Sequence, residues 1–525
     1  MSLKKIVCLI LAVVMSMAMA FTALAAEGVL DANVDPFNTE VTDETLNVCF
    51  SSEPAYIWGG GSGVVSNEEE IIMHAITDRL VEFDRRTNEV VPALATEWEW
   101  LDDTHCKFIL RDDVTMTDGS PLTPEDVVYS ANVWMEYSAN SDIGRFIAGA
   151  EADGDNAVIL EFNTVAPDLL AMLTWGGFGI VSEEEVEAAG GIEAATKNPV
   201  FGSGKYKFKE WATNQYIILE RNDNYWDPDY KGYYKEIRLT FINDPASRAL
   251  AIMSGDIQVA YDMPISMATT YIGNESVNVI AHTFGQNTRL WYNMGPNAGA
   301  TADPLVRAAI DKALDFDAIA MVGTSGMGEE VHGYFPIESK YYNETFTKEE
   351  RAQDIEGAKE LLAEAGYADG LDLEIVGMQD QSPVFTVIQE NLRQAGINLT
   401  INIVDTPQFV EQANGGTYDL IHVGDFADAR YPAIMSFFRQ FFIDTFCIGG
   451  SKWTTPEIEE GVTAFIEEPD EEAAKEIGKN LEEIWKDEMM FSNTYAEMHA
   501  ALTAADTKGY NTTERGFVDL TGFYK

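Results

Sequence analysis

Asp118-Gly119-Ser120-Pro121-Leu122-Thr123-Pro124-Glu125-Asp126-Val127-Val128-Tyr129-Ser130 puts a turn, a helix cap and a helix start into one run. Asp118-Gly119 reads as the turn. Thr123 offers a capping hydroxyl, Pro124 sits where a helix has no N–H to lose, and Glu125 and Asp126 complement the exposed amides of a first turn. The spacing predicts a helix from Pro124 to about Tyr137. Upstream, Thr45 to Ser51 reads as a short strand and Gly59 to Gly63 as a loop that can bring backbone close to a partner. A helical pattern follows over Ile71 to Val81, and Ala93 to Trp100 leads through a turn at Asp102-Asp103 into a strand containing Phe108-Ile109-Leu110. Downstream, aromatic-rich strands fill the stretch from Asn198 to Asn243. Lys205 to Trp211 and Gln215 to Arg221 form a hairpin around Ala212-Thr213-Asn214, with Tyr234 to Ile242 as a third strand in an antiparallel or mixed region. From Asp303 the texture becomes α/β. Asp303-Pro304 opens one helix, and Asp354 to Ala365 forms another that stops at Gly366. Strand Leu371 to Val376, helix Pro383 to Ala395 between a Ser382 cap and a Gly396 stop, and strand Leu399 to Val404 make a βαβ unit with parallel pairing. The acidic helices near Glu457 to Glu467 and Glu471 to Lys486 read as solvated amphipathic faces.

The chain has 525 residues, room for about three domains or one large multi-lobed unit. Hydrophobic residues at 46% and aromatics at 11% supply substantial cores, which argues against global disorder. Against 34 Lys and Arg stand 87 Asp and Glu, a formal charge of −53. Nucleic acid and anionic lipid are bound chiefly through clustered basic residues, so neither is an expected partner. Lys4 and Lys5, the apolar run Ile6 to Ala20 and Ala23-Leu24-Ala25 read as a signal peptide over residues 1–25, cleaved ahead of Glu27. No later apolar run reaches the length of a membrane span. Cys8 lies at the start of the apolar run and not at its end, where a lipid-modified cysteine would stand. The expectation is an exported, soluble chain in the periplasm or extracellular space, without a lipid anchor. Cys49, Cys106 and Cys447 make no disulfide framework, and Cys106 reads as a half-buried strand residue.

Several chemistries find no support. His74, His105, His282, His332, His422 and His499 include no pair at metal-binding helical spacing. Gly202-Ser203-Gly204-Lys205 ends like a phosphate loop, but Pro199 stands where its first glycine would be and Tyr206 replaces the Ser or Thr. Gly323-Thr324-Ser325-Gly326 lacks the glycine spacing of a nucleophile elbow. Val64 replaces the last glycine of a dinucleotide fingerprint. No catalytic residue, metal ligand or cofactor is assigned.

Several separated stretches nevertheless match one family in order. Pro92 to Trp98, Phe108-Ile109-Leu110-Arg111 and the opening run Asp118 to Ser130 resemble the signature of the bacterial extracellular solute-binding proteins of family 5, the oligopeptide, dipeptide and nickel binders. Gly202 to Tyr206, Glu220 to Trp226, Asp303 to Ile310 and Ala358 to Tyr367 resemble the blocks that follow. The resemblance covers nearly all of the chain after residue 27. It implies an α/β, two-lobed periplasmic-binding-protein-like fold with a hinge and an additional subdomain. Lobe I would take residues 27–77, 200–285 and 495–525, the inserted subdomain 78–199, and lobe II 286–494. It also implies a monomeric, non-enzymatic substrate-binding component of an ABC importer, whose lobes close on a ligand and hand it to a permease with cytoplasmic ATPase subunits.

The segment Tyr418 to Pro432 speaks most directly to ligand. In peptide-binding members an aspartate four residues after a glycine pairs with the peptide's free α-amine, and the positions resembling these are Gly424 and Asp428. Peptide binders often carry an aromatic directly after the glycine, where this chain has Asp425, followed by Phe426. His422 faces either the cleft or packing. Val65, Ser66 and Asn67 resemble the N-terminal cleft edge, where extended main chain meets the ligand. Trp291 and Tyr292 fall near the lobe crossing, as stacking surfaces or as core. The implied cargo is a short peptide or amine-bearing solute. A nickel chelate, a sugar or other non-peptide solute is the alternative, and a secreted hydrolase the rival from another class.

Overall fold

A computed structural model describes residues 29–30, 40–58, 67–84, 89–137, 146–163, 169–199, 201–228, 232–328, 330–336, 339–424, 454–513 and 516–525. They form two compact units, one of residues 29–282 with 499–525 and the other of 283–424 with 454–498. The chain passes between them inside two long strands, Val277–Tyr292 and Phe491–Ala504.

In the first unit the strand order is Phe491–Ala504, Val259–Met263, Thr45–Phe50, Glu236–Phe241, Tyr216–Arg221, Tyr206–Ala212. Thr45–Phe50 runs parallel to both of its neighbours, while the hairpin strands pair antiparallel, so the region is mixed. The hairpin turns at Asn214, whose φ of 59° suits a residue that tolerates the left-handed region. Helix Pro245–Ser254 is capped by the Asp244 carboxylate and stopped by left-handed Gly255. It lays Ala249 and Ile252 on a core with Cys49, Ala260, Met263 and Leu502.

The opening run of sequence folds as read. Met116 N–H bonds to Ser120 O across the turn, Gly119 takes a φ of 95°, and helix Pro124–Tyr137 begins where Asp126 accepts from Thr123 N–H and Oγ1–H, both at 2.8 Å. That helix packs on Ile147–Ala152, the edge of a four-stranded antiparallel sheet ordered Ala95–Trp100, His105–Leu110, Ala157–Phe162, Ile147–Ala152. Cys106 is fully buried there, not half-buried, because the helix-covered and opposite faces of this sheet are unequal and His105–Leu110 turns its even-numbered side chains inward. Two boundaries also differ. The helix expected over Ile71 to Val81 is Asn67–Ile76. It ends early because Arg79 folds back onto the carbonyls of His74 and Thr77, and Val81–Asp84 then pairs with Glu89–Pro92.

In the second unit the order is Ile397–Ile403, Leu371–Gly377, Leu420–Gly424, Val277–Tyr292, Phe491–Ala504. The first three are mutually parallel and the fourth antiparallel to the third. Helix Ser382–Ala395 makes the βαβ crossover and stops at left-handed Gly396. Ser382 lies inside its first turn, since a short 3₁₀ turn, Gln379–Gln381, precedes it and Gln381 Oε1 accepts from Met378 N–H. Helices Pro456–Glu467 and Glu471–Glu488 pack together, the latter burying Ala474, Leu481 and Trp485; the expectation of a solvated acidic face fails at Glu482, which is buried and accepts from Tyr334 N–H at 2.9 Å and the Asn343 amide at 3.1 Å. Among the described residues no helix is long and apolar enough to cross a membrane.

Candidate functional site

Open α/β sheets gather ligands at the carboxyl ends of their parallel strands, where chain reverses and polar groups are left over. In the second unit those ends are Gly377, Ile403 and Gly424. Gly424 stands opposite Thr288 on the neighbouring strand. A Cβ built on it would fall inside the contact distance of Glu497 Oε2 and 3.4 Å from Gln286 Oε1. A side chain at 424 would displace the Glu497 carboxylate, which lies over this glycine, while Gln286 Oε1 would be in ordinary contact. Tyr495 stands close by, and its phenol is pushed up by burial, with the charges of Glu497 and Asp380 adding to the effect. Asp380 follows the carboxyl end of Leu371–Gly377.

Asp425, Phe426 and Asp428 follow Gly424 in sequence and lie outside the described residues, as do Val65 and Ser66. Asn67 is the exposed first residue of helix Asn67–Ile76. Beside it the Ser52 hydroxyl donates to Glu68 at 2.6 Å, and Glu53 takes the Trp211 indole N–H at 2.7 Å and Asn214 N–H at 2.8 Å.

Three expected site residues belong to packing. Trp291 is 3% exposed and tilts against Phe491, 5.0 Å between ring centroids. Tyr292 is 1% exposed, its hydroxyl 2.5 Å from that of Ser492, which itself donates to Asp311 at 2.6 Å. His422 is fully buried between Phe385 and Tyr495. Its Nε2 lies 3.1 Å from Thr494 Oγ1, and that hydroxyl donates its proton to Thr288 O at 2.6 Å, so Nε2–H is the donor to the threonine. Burial drives the His422 pKa down to about 3. The correction has one cause for all three: both faces of this sheet are covered, so alternate side chains find interior on either side. Glu497, Gln286, Asp380 and Tyr495 escape sequence reading because they come from three separate elements and carry no motif. The one available hint was Gly424 itself.

Among the described residues no group of three or more His, Cys, Asp or Glu side chains is placed to hold a metal ion. What the corner at Gly424 can do is accept hydrogen bonds and favour positive charge. Residues 89–445 match the family model described as bacterial extracellular solute-binding proteins, family 5 Middle. The chain belongs to this family. Its relatives include the periplasmic oligopeptide-binding protein OppA of Salmonella typhimurium, 24% identical over 78% of this chain and 81% of that one. Among solved structures, NikA from Brucella suis in complex with Fe(III)-EDTA superposes with a TM-score of 0.82 at 20% identity, over 92% of this chain and all of NikA. The periplasmic binding protein DppA from Helicobacter pylori in complex with the peptide STSA gives 0.75 at 21%, over 91% and 98%. The α/β fold is thus that of family 5. As a family 5 member the protein is a ligand-binding component of ABC transporter systems and not an enzyme, which removes the secreted-hydrolase alternative.

Proposed function

We propose that this family 5 protein is exported by its residue 1–25 signal peptide to the periplasm or extracellular space. There, as a monomer, it binds a short peptide or another amine-bearing small solute for an ABC permease with cytoplasmic ATPase subunits. In this reading residues 27–77, 200–285 and 495–525 are lobe I, 78–199 an inserted subdomain and 286–494 lobe II, and the lobes close on the ligand. One observation carries it: a side-chain-free Gly424 at a strand's carboxyl end, faced by the oxygens of Glu497 and Gln286, directly ahead of Asp425 and Asp428. A desolvated Asp428 carboxylate opposite an ammonium would reject ligands that leave it unpaired. The relatives named for oligopeptides and the peptide STSA support this chemistry.

Asp428→Asn keeps the volume and removes the charge. It is expected to weaken a free-amine peptide by about 30-fold to several thousand-fold, while an N-acetylated peptide distinguishes wild type from mutant much less. Asp425→Asn is the nearby control. Calorimetric titration decides: equal modest losses in both variants mean diffuse electrostatics, and no loss in Asp428→Asn removes the amine reading. The second reading, a non-peptide solute such as a nickel chelate or sugar, is favoured by Asp425 in the place of an aromatic and would then be promoted.

A further inference from the structure

Helix Pro245–Ser254 reverses the usual arrangement of a surface helix, which shows its charges to water and hides its large apolar residues. Its one charged side chain, Arg248, is 2% exposed and donates to the carbonyls of Ile242, Asn243 and Asp262 at 2.7, 2.9 and 2.8 Å. Facing outward are Leu250, 70% exposed, and Met253 one turn on, 38% exposed. The other exposed residues of the helix, Ala246, Ser247 and Ser254, carry no charge. The face continues onto a second segment, since the Asn274 amide lies 3.8 Å from the Met253 sulfur. From Pro264 to Asn274 there is no Asp, Glu, Lys or Arg, and Tyr271 and Ile272 stand half-buried there on the same core as the helix. Acids stand only at the margins: exposed Asp244 ahead of the helix, Asp256 just past its end and Glu275 after Asn274. An apolar centre with a charged rim is the anatomy of a protein interface.

We propose that this face docks the ABC permease, through an extracytoplasmic permease segment that presents apolar side chains flanked by Lys or Arg. The proposal rests on the reading of the chain as the binding component of an importer. Charge selects the occupant. A second copy seated on the same face would set Asp244, Asp256 and Glu275 against their own counterparts, in chains that each carry a formal charge of −53. Anionic lipid meets the same repulsion. A segment with a basic rim instead finds three carboxylates around the apolar centre, and covering Leu250 and Met253 removes both from water. Arg248 is the positioning residue: its bonds tie the helix to the residues after strand Glu236–Phe241 and to strand Val259–Met263, so the face is held on the sheet.

The test is binding of the full mature chain to the permease complex of the producing cell, held in nanodiscs of zwitterionic lipid and followed by biolayer interferometry. Leu250→Glu and Met253→Glu are each expected to weaken binding by about tenfold or more, and Leu250→Met by little. Asp256→Lys should weaken it too, with a loss that shrinks as salt is raised. Leu101→Glu, at a side chain 49% exposed beyond strand Ala95–Trp100, is the control and should bind as wild type does. An unchanged melting temperature verifies that each variant folds. Wild-type affinity in Leu250→Glu overturns the docking face while the importer reading stands. A wild type that does not bind the permease overturns both. Sedimentation that shows a dimer dispersed by Leu250→Glu assigns the face to a second copy, and binding to permease-free nanodiscs that Leu250→Glu abolishes assigns it to lipid; either result overturns the proposal.

Discussion

At His422 the ring is held neutral by burial, with its pKa near 3 against an ordinary 6.5. Between those values an unfolded chain takes up a proton that the folded one refuses, so this residue's contribution is complete above pH 6.5 and is lost as pH falls. The full effect is on the order of 5 kcal/mol, from about 1.4 kcal/mol per pKa unit. Wild type should therefore lose melting temperature from pH 6.5 to 5, and His422→Gln should flatten that slope at a cost in stability at pH 7. A slope unchanged by the substitution would mean that the ring is solvated. Which way this histidine faces was not legible in the sequence. Alternation along Leu420–Gly424 tells which side chains share a face, but not that both faces are covered. For the same reason Trp291 and Tyr292 could be read either as stacking surfaces or as core.

Glu185, in helix Glu183–Ala188, ties two elements together: Oε1 accepts Asp118 N–H at 2.9 Å and Oε2 accepts Gly202 N–H at 3.0 Å. The turn that opens the sequence reading is thus held to the loop before strand Tyr206–Ala212. Glu185→Ala leaves both amides without acceptors, and a loss of about 2–5 kcal/mol in denaturant unfolding is expected. Burial raises the Glu185 pKa to about 7, against the pull of these two N–H groups. A folded-state pKa above the ordinary 4.5 means that the native chain holds its proton longer, so this residue's contribution to stability shrinks as pH rises from 4.5 to 7. That slope is opposite to the one from His422, so each is read as variant minus wild type across the pH range. Elements were the legible scale. Helix Pro124–Tyr137, the 206–221 hairpin and the βαβ unit over 371–403 are written in caps, turns and alternation that act over a few residues. The tie through Glu185 is not, because it joins positions 67 and 17 residues away that share no pattern. The convergence on Gly424 fails in the same way, with Gln286 and Glu497 far from it in sequence.

For the whole chain the dominant quantity is a formal charge of −53. A field of that sign draws cations in and is screened over a Debye length of about 10 Å at 0.1 M salt. The association rate of a lysine-bearing peptide, followed by stopped-flow fluorescence, should fall by roughly tenfold between 10 and 150 mM salt, with an uncharged peptide nearly unaffected. Equal salt dependence for both would assign the charge to solubility alone. The two chain passages have a consequence for the order of events at synthesis. Strand Val259–Met263 pairs with Ala500, Leu502 and Thr503, so the sheet of the unit begun first has an open edge until the last part of the chain is made. At about 5–20 residues per second, the roughly 240 intervening residues impose a delay of about 12–47 seconds. The unit whose synthesis starts first is therefore completed last, and the nascent chain stays without one of its sheets closed until almost all of it has been translated.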